Sequence, residues 1–171
     1  MGYEFHDVLK LSKEATDAVA FFFESSGYTV KNVESDSNFQ DIDVDMIIFG
    51  ADKKPKFVEV KADRHVRTGN YYFETVSNLD KGTDGCFIYS AADILAYYFV
   101  GKEELHLMDM QKVRTWFLEN IADFETRKTS TVDVSGFVMY QSEGRLVPRW
   151  RVMEEVGVEV VDIYKLRKKM L

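Results

Sequence analysis

Two apolar segments rich in β-branched and aromatic residues flank a polar turn in the first half of the chain. The segment DMIIF occupies residues 45–49 and the segment FVEVKA occupies residues 57–62, with GADKKPK between them. Short runs of this kind on both sides of a turn containing Gly, Pro and Lys are typical of antiparallel strands joined by a longer loop. The chain is therefore expected to contain a β-sheet built around this hairpin.

Charged side chains alternate with apolar ones along both predicted strands. Successive side chains of a strand point to opposite faces, so Asp41, Asp43 and Asp45 would share one face of the first strand. Glu59 and Lys61 would likewise share one face of the second strand. The pattern thus concentrates acidic groups and one amine on the two strands of a single hairpin.

The pairing of the two strands decides whether these charges meet. If Phe49 pairs with Phe57, Asp45 lies opposite Lys61 on a common face, and Glu59 lies on that face beside them. A slip by one residue would send the two sets of charges to opposite faces. The register that brings them together is a prediction of this sequence.

Two carboxylates and an ammonium beside apolar strands are costly to bury unless something compensates their charge. A hard divalent cation would do so, and Mg²⁺ keeps several coordination positions open for water and phosphate oxygens. Beside such an ion we expect a lowered pKa for Lys61, which could then orient or deprotonate an attacking water. The alternative is an ordinary solvated strand face, which shows the same alternation of charge and valine.

Helical and extended spacing alternate along the rest of the chain. Ser12 can begin a helix whose apolar residues recur every three or four positions up to Gly27. Asp109 can begin a second helix that runs to about residue 123. Further strands are predicted at residues 28–33, 71–76, 86–89, 94–100, 105–108, 137–140 and 158–163, and a basic helix at 164–171. We therefore expect one α/β domain over residues 1–171, with a mixed β-sheet flanked by helices.

The net charge of −7 argues against nucleic-acid binding through overall charge. Local contact with phosphates is still expected, with Arg64 and Arg67 after the second hairpin strand and Lys54 in the turn as the candidates. The single cysteine, Cys86, cannot form an internal disulfide and is interpreted as a small buried hydrophobe. No apolar run is long enough to span a bilayer, and residues 1–15 lack the apolar core of a signal peptide, so we expect a cytoplasmic protein without a membrane partner.

The hairpin resembles the PD-(D/E)XK nuclease superfamily, which has the restriction-endonuclease-like fold. Asp45 at the head of DMIIF matches the family's aspartate, and Glu59-Val60-Lys61 matches its Glu-x-Lys element. Val44 stands where many members have proline, so the choice among Asp45, Asp43 and Asp41 stays open.

Two further segments carry the resemblance. The first predicted helix is similar to the superfamily's opening helix, which often holds a metal-binding glutamate; Glu14 would fill that role, with Asp17 as the second choice. The stretch TGNYYFETVSN at 68–78 resembles small phage-borne or mobile-element members and would place Glu74 near the site.

The resemblance covers about residues 12–116 and implies an αβββαβ core with additional C-terminal strands, in which the helix at 110–123 would be the second core helix. It implies a metal-dependent endonuclease that hydrolyses DNA phosphodiester bonds with Mg²⁺ or Mn²⁺. Asp45, Glu59 and the Val60 carbonyl would bind the metal, Lys61 would position the water, and Glu14 and Glu74 would give outer support. DNA is the expected partner, and a homodimer is expected if both strands are cut. The alternative is a catalytically inactive nucleic-acid-binding or assembly module on the same fold.

Overall fold

A computed structural model describes the backbone of residues 2–171 and the side chains of residues 6–171. The helices are α1 (Phe5–Ser25), α2 (Ser37–Gln40), α3 (Cys86–Tyr89), α4 (Met110–Asn120), α5 (Arg149–Glu155) and α6 (Ile163–Met170). The strands are β1 (Gly2–Glu4), β2 (Thr29–Asn32), β3 (Met46–Phe49), β4 (Pro55–Asp63), β5 (Asn70–Asn78), β6 (Thr83–Asp84), β7 (Ile94–Phe99), β8 (Glu104–Asp109), β9 (Glu125–Val132), β10 (Val138–Pro148) and β11 (Glu159–Asp162).

The strands form two sheets. The larger sheet has the order β11-β8-β7-β4-β3-β2, and the smaller has the order β1-β9-β10-β5-β6. In the larger sheet β4 and β7 run parallel, whereas its other neighbouring strands are antiparallel. The predicted α/β fold with a mixed sheet and flanking helices is therefore confirmed; the second sheet was not predicted.

Helix α1 covers one face of the larger sheet. Its apolar residues recur at helical spacing, and Ala15, Ala18 and Val19 are fully buried against a cluster that includes Val58 and Tyr98. The helix ends before Gly27, which has a φ of +86° that glycine adopts without strain. The predicted helix is thus present, although it begins at Phe5 rather than near Ser12.

The smaller sheet packs against the other face of the larger one. Tyr71 and Phe73 of β5 share a buried cluster with Tyr97 of β7. Hydrogen bonds join the sheets inside this apolar layer: the Tyr71 hydroxyl lies 2.6 Å from Nδ1 of His106, and the Tyr72 N–H donates to the Tyr97 hydroxyl at 3.0 Å. The Tyr97 hydroxyl in turn donates to Asp63 at the end of β4, at 2.6 Å. These bonds fix β5 beside the end of β4.

The hairpin β3–β4 exists, but its predicted register is wrong by two residues. Phe49 pairs with Pro55 and Ile47 pairs with Phe57. The turn is tighter than expected because the Lys53 N–H donates to the Gly50 carbonyl at 3.0 Å, with Lys53 at a φ of 54°. A shift by two residues keeps every side chain on its face, so the predicted segregation of charges survives the correction.

Two segments predicted as strand adopt other conformations. Residues 86–89 form helix α3, whose carbonyls at Phe87 and Ser90 accept hydrogen bonds from the Arg114 guanidinium at 2.9 and 2.6 Å. The segment before Met46 forms the short helix α2 and a turn, in which the Val44 N–H donates to the Phe39 carbonyl. Four apolar residues in a row do not distinguish strand from helix, so tertiary contacts decide.

The C-terminal third agrees with the prediction in part. The strand predicted at 158–163 is β11, and the basic helix predicted at 164–171 is α6. The strand predicted at 137–140 is the start of the much longer β10, while the polar strand β9 and helix α5 were not predicted. In the part of the chain that the structure describes, no helix is both long and apolar enough to cross a membrane.

Candidate metal centre

A cluster of ionisable side chains lies where the end of β4 meets β5 and α3. Glu59 and Lys61 come from β4, Asp45 immediately precedes β3, and Glu74 comes from β5. Two further groups, Asp43 in the turn after α2 and Cys86 at the start of α3, complete the cluster. The structure thus brings together four of the five predicted catalytic residues.

Glu59 is the most buried member of the cluster, with an exposed fraction of only 2%. Its Oε1 atom lies 3.0 Å from the Lys61 ammonium, while its Oε2 atom has no hydrogen-bond partner among the described residues. Burial, assisted by the charges of Asp45 and Asp43, raises the pKa of Glu59 well above its ordinary value, although Lys61 opposes the shift. A buried carboxylate oxygen without a partner is an unusual and costly feature of a folded protein.

Lys61 carries the positive charge of the cluster, and its side chain keeps an exposed fraction of 32%. Burial disfavours its charged form, but Cys86, Glu59, Glu74 and Asp43 outweigh burial and raise the pKa of Lys61 well above its ordinary value. The lowered pKa expected from the sequence refers to Lys61 beside a bound metal and stays a prediction; in the metal-free cluster the acids favour the charged form. Lys61 is an ammonium donor here rather than a base.

Asp45 lies next to Glu59 at the point where β3 begins. Its Oδ2 atom accepts a hydrogen bond from the Val60 N–H at 2.8 Å. Burial raises the pKa of Asp45, although the Val60 hydrogen bond and the charge of Lys61 oppose the shift. Since the N–H and C=O of one strand residue point to the same side, the Val60 carbonyl also points toward the edge where Asp45 lies.

Asp43 approaches Glu59 from the turn that precedes β3. Its backbone has a φ of 53°, which is strained for a residue other than glycine, and its carbonyl accepts a hydrogen bond from the Ser90 hydroxyl at 2.7 Å. Its Oδ2 atom is buried and has no hydrogen-bond partner among the described residues. A carboxylate oxygen of Asp43, one of Glu59 and the Cys86 sulfur all lie within 4.8 Å of one another.

Glu74 reaches the cluster from the smaller sheet. Its side chain is half-buried on β5. Burial raises the pKa of Glu74, and the charge of Lys61 opposes the shift. Gly85 packs directly on this strand, since a Cβ at Gly85 would lie 2.4 Å from the Glu74 carbonyl oxygen.

This close approach makes Gly85 sensitive to substitution. We expect Gly85→Ala to lower the free energy of unfolding by about 1–3 kcal/mol, because backbone rather than a flexible side chain would have to move. Gly101→Ala is the matched control, as a Cβ there meets nothing within 4 Å, and it should change stability by less than about 0.5 kcal/mol. Urea denaturation of both variants measures the effect; equal stabilities would contradict the packing described here.

Glu14 is the predicted catalytic residue that the structure does not bring to the cluster. It is exposed on α1, which packs on the face of the larger sheet opposite to Glu59 and Lys61. Burial raises the pKa of Tyr98, which packs against α1 on this face of the sheet, and the charge of Glu14 adds to that shift. Asp17, the second choice, is exposed and forms an ion pair with Lys13 at 2.7 Å.

A different acid lies near Asp45. The charge of Glu34 raises the pKa of Asp45, although burial is the larger cause of that shift. Glu34 follows β2, which pairs with β3, and it accepts a hydrogen bond from the Ser12 hydroxyl at 3.5 Å. Sequence reasoning missed Glu34, and the pairing of the strand before it with DMIIF is the signal that could have found it.

The three basic residues predicted to contact nucleic acid occupy two separate places. Arg64 and Arg67 are exposed in the loop that follows β4, three and six residues after Lys61. Lys54 is exposed in the turn at the other end of β4, roughly 20 Å from Lys61 along the strand. Asp41, the last aspartate left open by the sequence, is exposed at the end of α2.

The donor set of the cluster fits a divalent cation. Four carboxyl groups lie around one ammonium, so once they are ionised their negative charge exceeds the positive charge of the cluster. Two of these groups, Asp43 and Glu59, also present buried oxygens without a hydrogen-bond partner. A metal ion would supply the missing charge and the missing partner together.

Metal binding at this cluster should depend on pH in a defined direction. The raised pKa values of Asp45, Glu59 and Glu74 mean that the folded, metal-free protein keeps protons that the unfolded chain releases, so its stability falls as the pH rises through these values. Because protons compete with a metal, Mn²⁺ is expected to raise the melting temperature more at pH 8 than at pH 5. Thermal melts with and without Mn²⁺ test this; an equal shift at both pH values would count against the cluster as the binding site.

The chain matches no family model, no curated protein and no solved structure. The chemistry of the cluster therefore rests on its own geometry.

Proposed function

We propose that this protein is a metal-dependent endonuclease of the PD-(D/E)XK type that hydrolyses DNA phosphodiester bonds. One observation carries the proposal. A nearly fully buried glutamate, Glu59, holds one oxygen against the Lys61 ammonium at 3.0 Å and leaves the other without a partner among the described residues, and the charge of Asp45, just before the adjoining strand, acts on it. A structural ion pair would satisfy both oxygens of a buried carboxylate, whereas a metal ligand needs one of them available.

The order of the elements supports the restriction-endonuclease-like core. Helix α1 is followed by the antiparallel strands β2, β3 and β4, then by α3 and by β7, which runs parallel to β4. The proposed αβββαβ core would therefore be interrupted by α2 between β2 and β3 and by β5 and β6 after β4. The helix between β4 and β7 is the short α3. The sequence predicted that α4 would be this second core helix, but α4 follows β8.

In this proposal the acidic residues bind the metal, and the basic residue binds the water or the phosphate. Asp45, Glu59 and the Val60 carbonyl are the metal ligands in this proposal, and Asp43 lies close enough to Glu59 to join them. When bound, Mg²⁺ or Mn²⁺ would polarise the phosphate and lower the pKa of a bound water. Lys61, as an ammonium, would hold the attacking water or a phosphate oxygen by donating a hydrogen bond and would stabilise the developing negative charge. Glu74 favours the charged form of Lys61 through its own negative charge.

DNA as the substrate rests on the family resemblance and on the charges beside the cluster. Residue chemistry alone specifies a phosphate ester. Arg64 and Arg67 follow β4 directly and can contact phosphates on either side of the reacting one. Lys54 lies at the far end of the strand, so any phosphate that it contacts is several nucleotides away from the cleavage position.

A plasmid assay tests the proposed function. Incubation of supercoiled DNA with the protein and Mg²⁺ or Mn²⁺ should give nicked and then linear product, and chelation of the metal with EDTA should stop the reaction. Salt-dependent DNA binding without cleavage in any divalent ion would instead support an inactive nucleic-acid-binding module. The absence of both binding and cleavage would contradict the proposal as a whole.

A further inference from the structure

Cys86 places a thiol beside two carboxylates, Asp43 and Glu59, that each have one oxygen without a hydrogen-bond partner among the described residues. It begins α3, is buried to an exposed fraction of 3%, and is the only cysteine of the chain. Its sulfur, one oxygen of Asp43 and one oxygen of Glu59 all lie within 4.8 Å of one another. The nearly fully buried Glu59 and the half-buried Asp43 of this group each have a buried oxygen without a hydrogen-bond partner among the described residues.

We propose that Asp43, Glu59 and Cys86 form a metal position selective for thiophilic divalent ions of the Zn²⁺, Co²⁺ and Cd²⁺ class. The inference deepens the proposed function, because it rests on Glu59 as a metal ligand and concerns which ion that ligand prefers. Asp45 and the Val60 carbonyl offer only oxygen to a metal, which suits Mg²⁺. If Cys86 binds the ion in place of Asp45 and the Val60 carbonyl, the ligands are oxygen and sulfur together. Such a mixed set suits ions of intermediate softness such as Zn²⁺.

The spacing of the three donor atoms is compatible with a single ion. Ligands at about 2.0–2.3 Å from a tetrahedral zinc ion lie about 3.3–3.8 Å apart. Donor atoms that lie within 4.8 Å of one another therefore need side-chain movements of about 1 Å. The backbone around them is well anchored, since Asp43 is tied to Ser90 by a 2.7 Å hydrogen bond and α3 to Arg114 by two.

The charge balance of the position also favours a bound thiolate. As the metal–sulfur bond forms, the thiol proton leaves to solvent, so the sulfur binds as an anion. Without metal, burial raises the pKa of the Cys86 thiol well above its ordinary value and Lys61 only opposes the shift, so the thiolate would form only with a dication bound to it. A position with two carboxylates and one thiolate around a dication and an ammonium is close to neutral.

The single cysteine makes the test direct, because any sulfur-to-metal charge-transfer absorption must come from Cys86. Titration of the full-length protein with Co²⁺ or Cd²⁺ should produce such a band, saturating at one ion per chain. Cys86→Ala should lose the band and weaken binding of these ions by at least about tenfold. The same variant should keep its affinity for Mn²⁺, which the carboxylates bind without sulfur. Circular dichroism of the variant checks that it is folded.

The outcomes separate this inference from the proposed function. Absence of the band in the folded wild-type protein would overturn the thiolate position, and Mg²⁺-dependent nicking in that same protein would leave the nuclease proposal standing. A saturable band that Cys86→Ala abolishes would support the inference even if no nicking is seen. A band that persists in Cys86→Ala would overturn it, since the signal would then have another origin.

Discussion

Replacement of Lys61 by alanine is expected to slow metal-dependent plasmid nicking by about 10²–10⁴-fold, the range typical for loss of one positioned proton donor or acceptor. The physical reason is that Lys61 supplies the positive charge among four acidic groups and holds the reacting water or phosphate. Its removal also leaves Glu59 without its 3.0 Å partner. The rate of conversion of supercoiled to nicked DNA, at saturating Mg²⁺, is the measurement.

The matched control is Lys56→Ala. Lys56 belongs to the same strand, is exposed, and pairs across the hairpin with Ile48 at the end of β4 remote from the cluster. It lies an odd number of residues from Lys61 and therefore on the other face of the sheet. This variant should nick plasmid at the wild-type rate. Equal loss in both variants, or in neither, would mean that Lys61 has no special role in the reaction.

Replacement of Glu59 by glutamine is expected to have opposite effects on activity and on stability. Nicking should fall by at least about 10²–10³-fold, because the amide cannot hold a divalent ion as a carboxylate does. Without metal, the variant should be more stable than wild type at pH 8 by about 1–2 kcal/mol, because the neutral amide avoids the cost of burying an ionised carboxylate. A residue that serves function at the expense of stability is expected to behave in this way.

The stability difference between Glu59→Gln and wild type should increase with pH. Burial raises the pKa of Glu59 in the folded protein, so the wild type loses stability as the pH rises above the ordinary carboxyl range. Glutamine does not ionise, and the difference between variant and wild type should shrink toward pH 5. Urea denaturation at both pH values measures it. Glu119→Gln, at an exposed position on α4, should change neither stability nor activity.

A Glu59→Gln variant that is markedly less stable than wild type at pH 8 without metal would contradict this account. Glu59 would then be a structural partner of Lys61, and its unpartnered oxygen would carry no functional meaning.

The parts of the fold encoded by strong local patterns were predictable. The apolar runs on either side of the turn specify β3 and β4. Charged and apolar residues alternate along β4, so Glu59 and Lys61 share one face, and a shift of the pairing by two residues does not change that face. Helix α1 was equally clear because its apolar residues repeat over several turns.

The rest depended on contacts between distant parts of the chain. The alternation of charged and apolar residues predicted that Asp43 lies on a strand. In the structure Asp43 lies in a strained turn near Glu59, and its carbonyl accepts a hydrogen bond from the Ser90 hydroxyl. Helix α3 depends on Arg114, which lies more than twenty residues further along the chain. The proximity of Cys86 to Glu59 follows from both of these contacts, so no local pattern could reveal it.

The pKa of Lys61 shows the same limit. The sequence and the family resemblance placed Asp45, Glu59 and Glu74 near Lys61, and a lowered pKa was expected beside a bound metal. The fold adds Cys86 from α3 and Asp43 from the turn, and in the metal-free protein the summed charges raise the pKa of Lys61. Electrostatics summed over separate elements cannot be read from the residues of one hairpin.

The central claim is that the acids of this hairpin bind a divalent ion, and anomalous diffraction from a crystal soaked in Mn²⁺ tests it most directly. The account predicts an anomalous peak within about 2.5 Å of a Glu59 oxygen and of Asp45 or Asp43, with the Lys61 ammonium still beside it. A soaked crystal with no peak at Glu59, in which the carboxyl groups of Asp45 and Glu59 point away from each other, would contradict it.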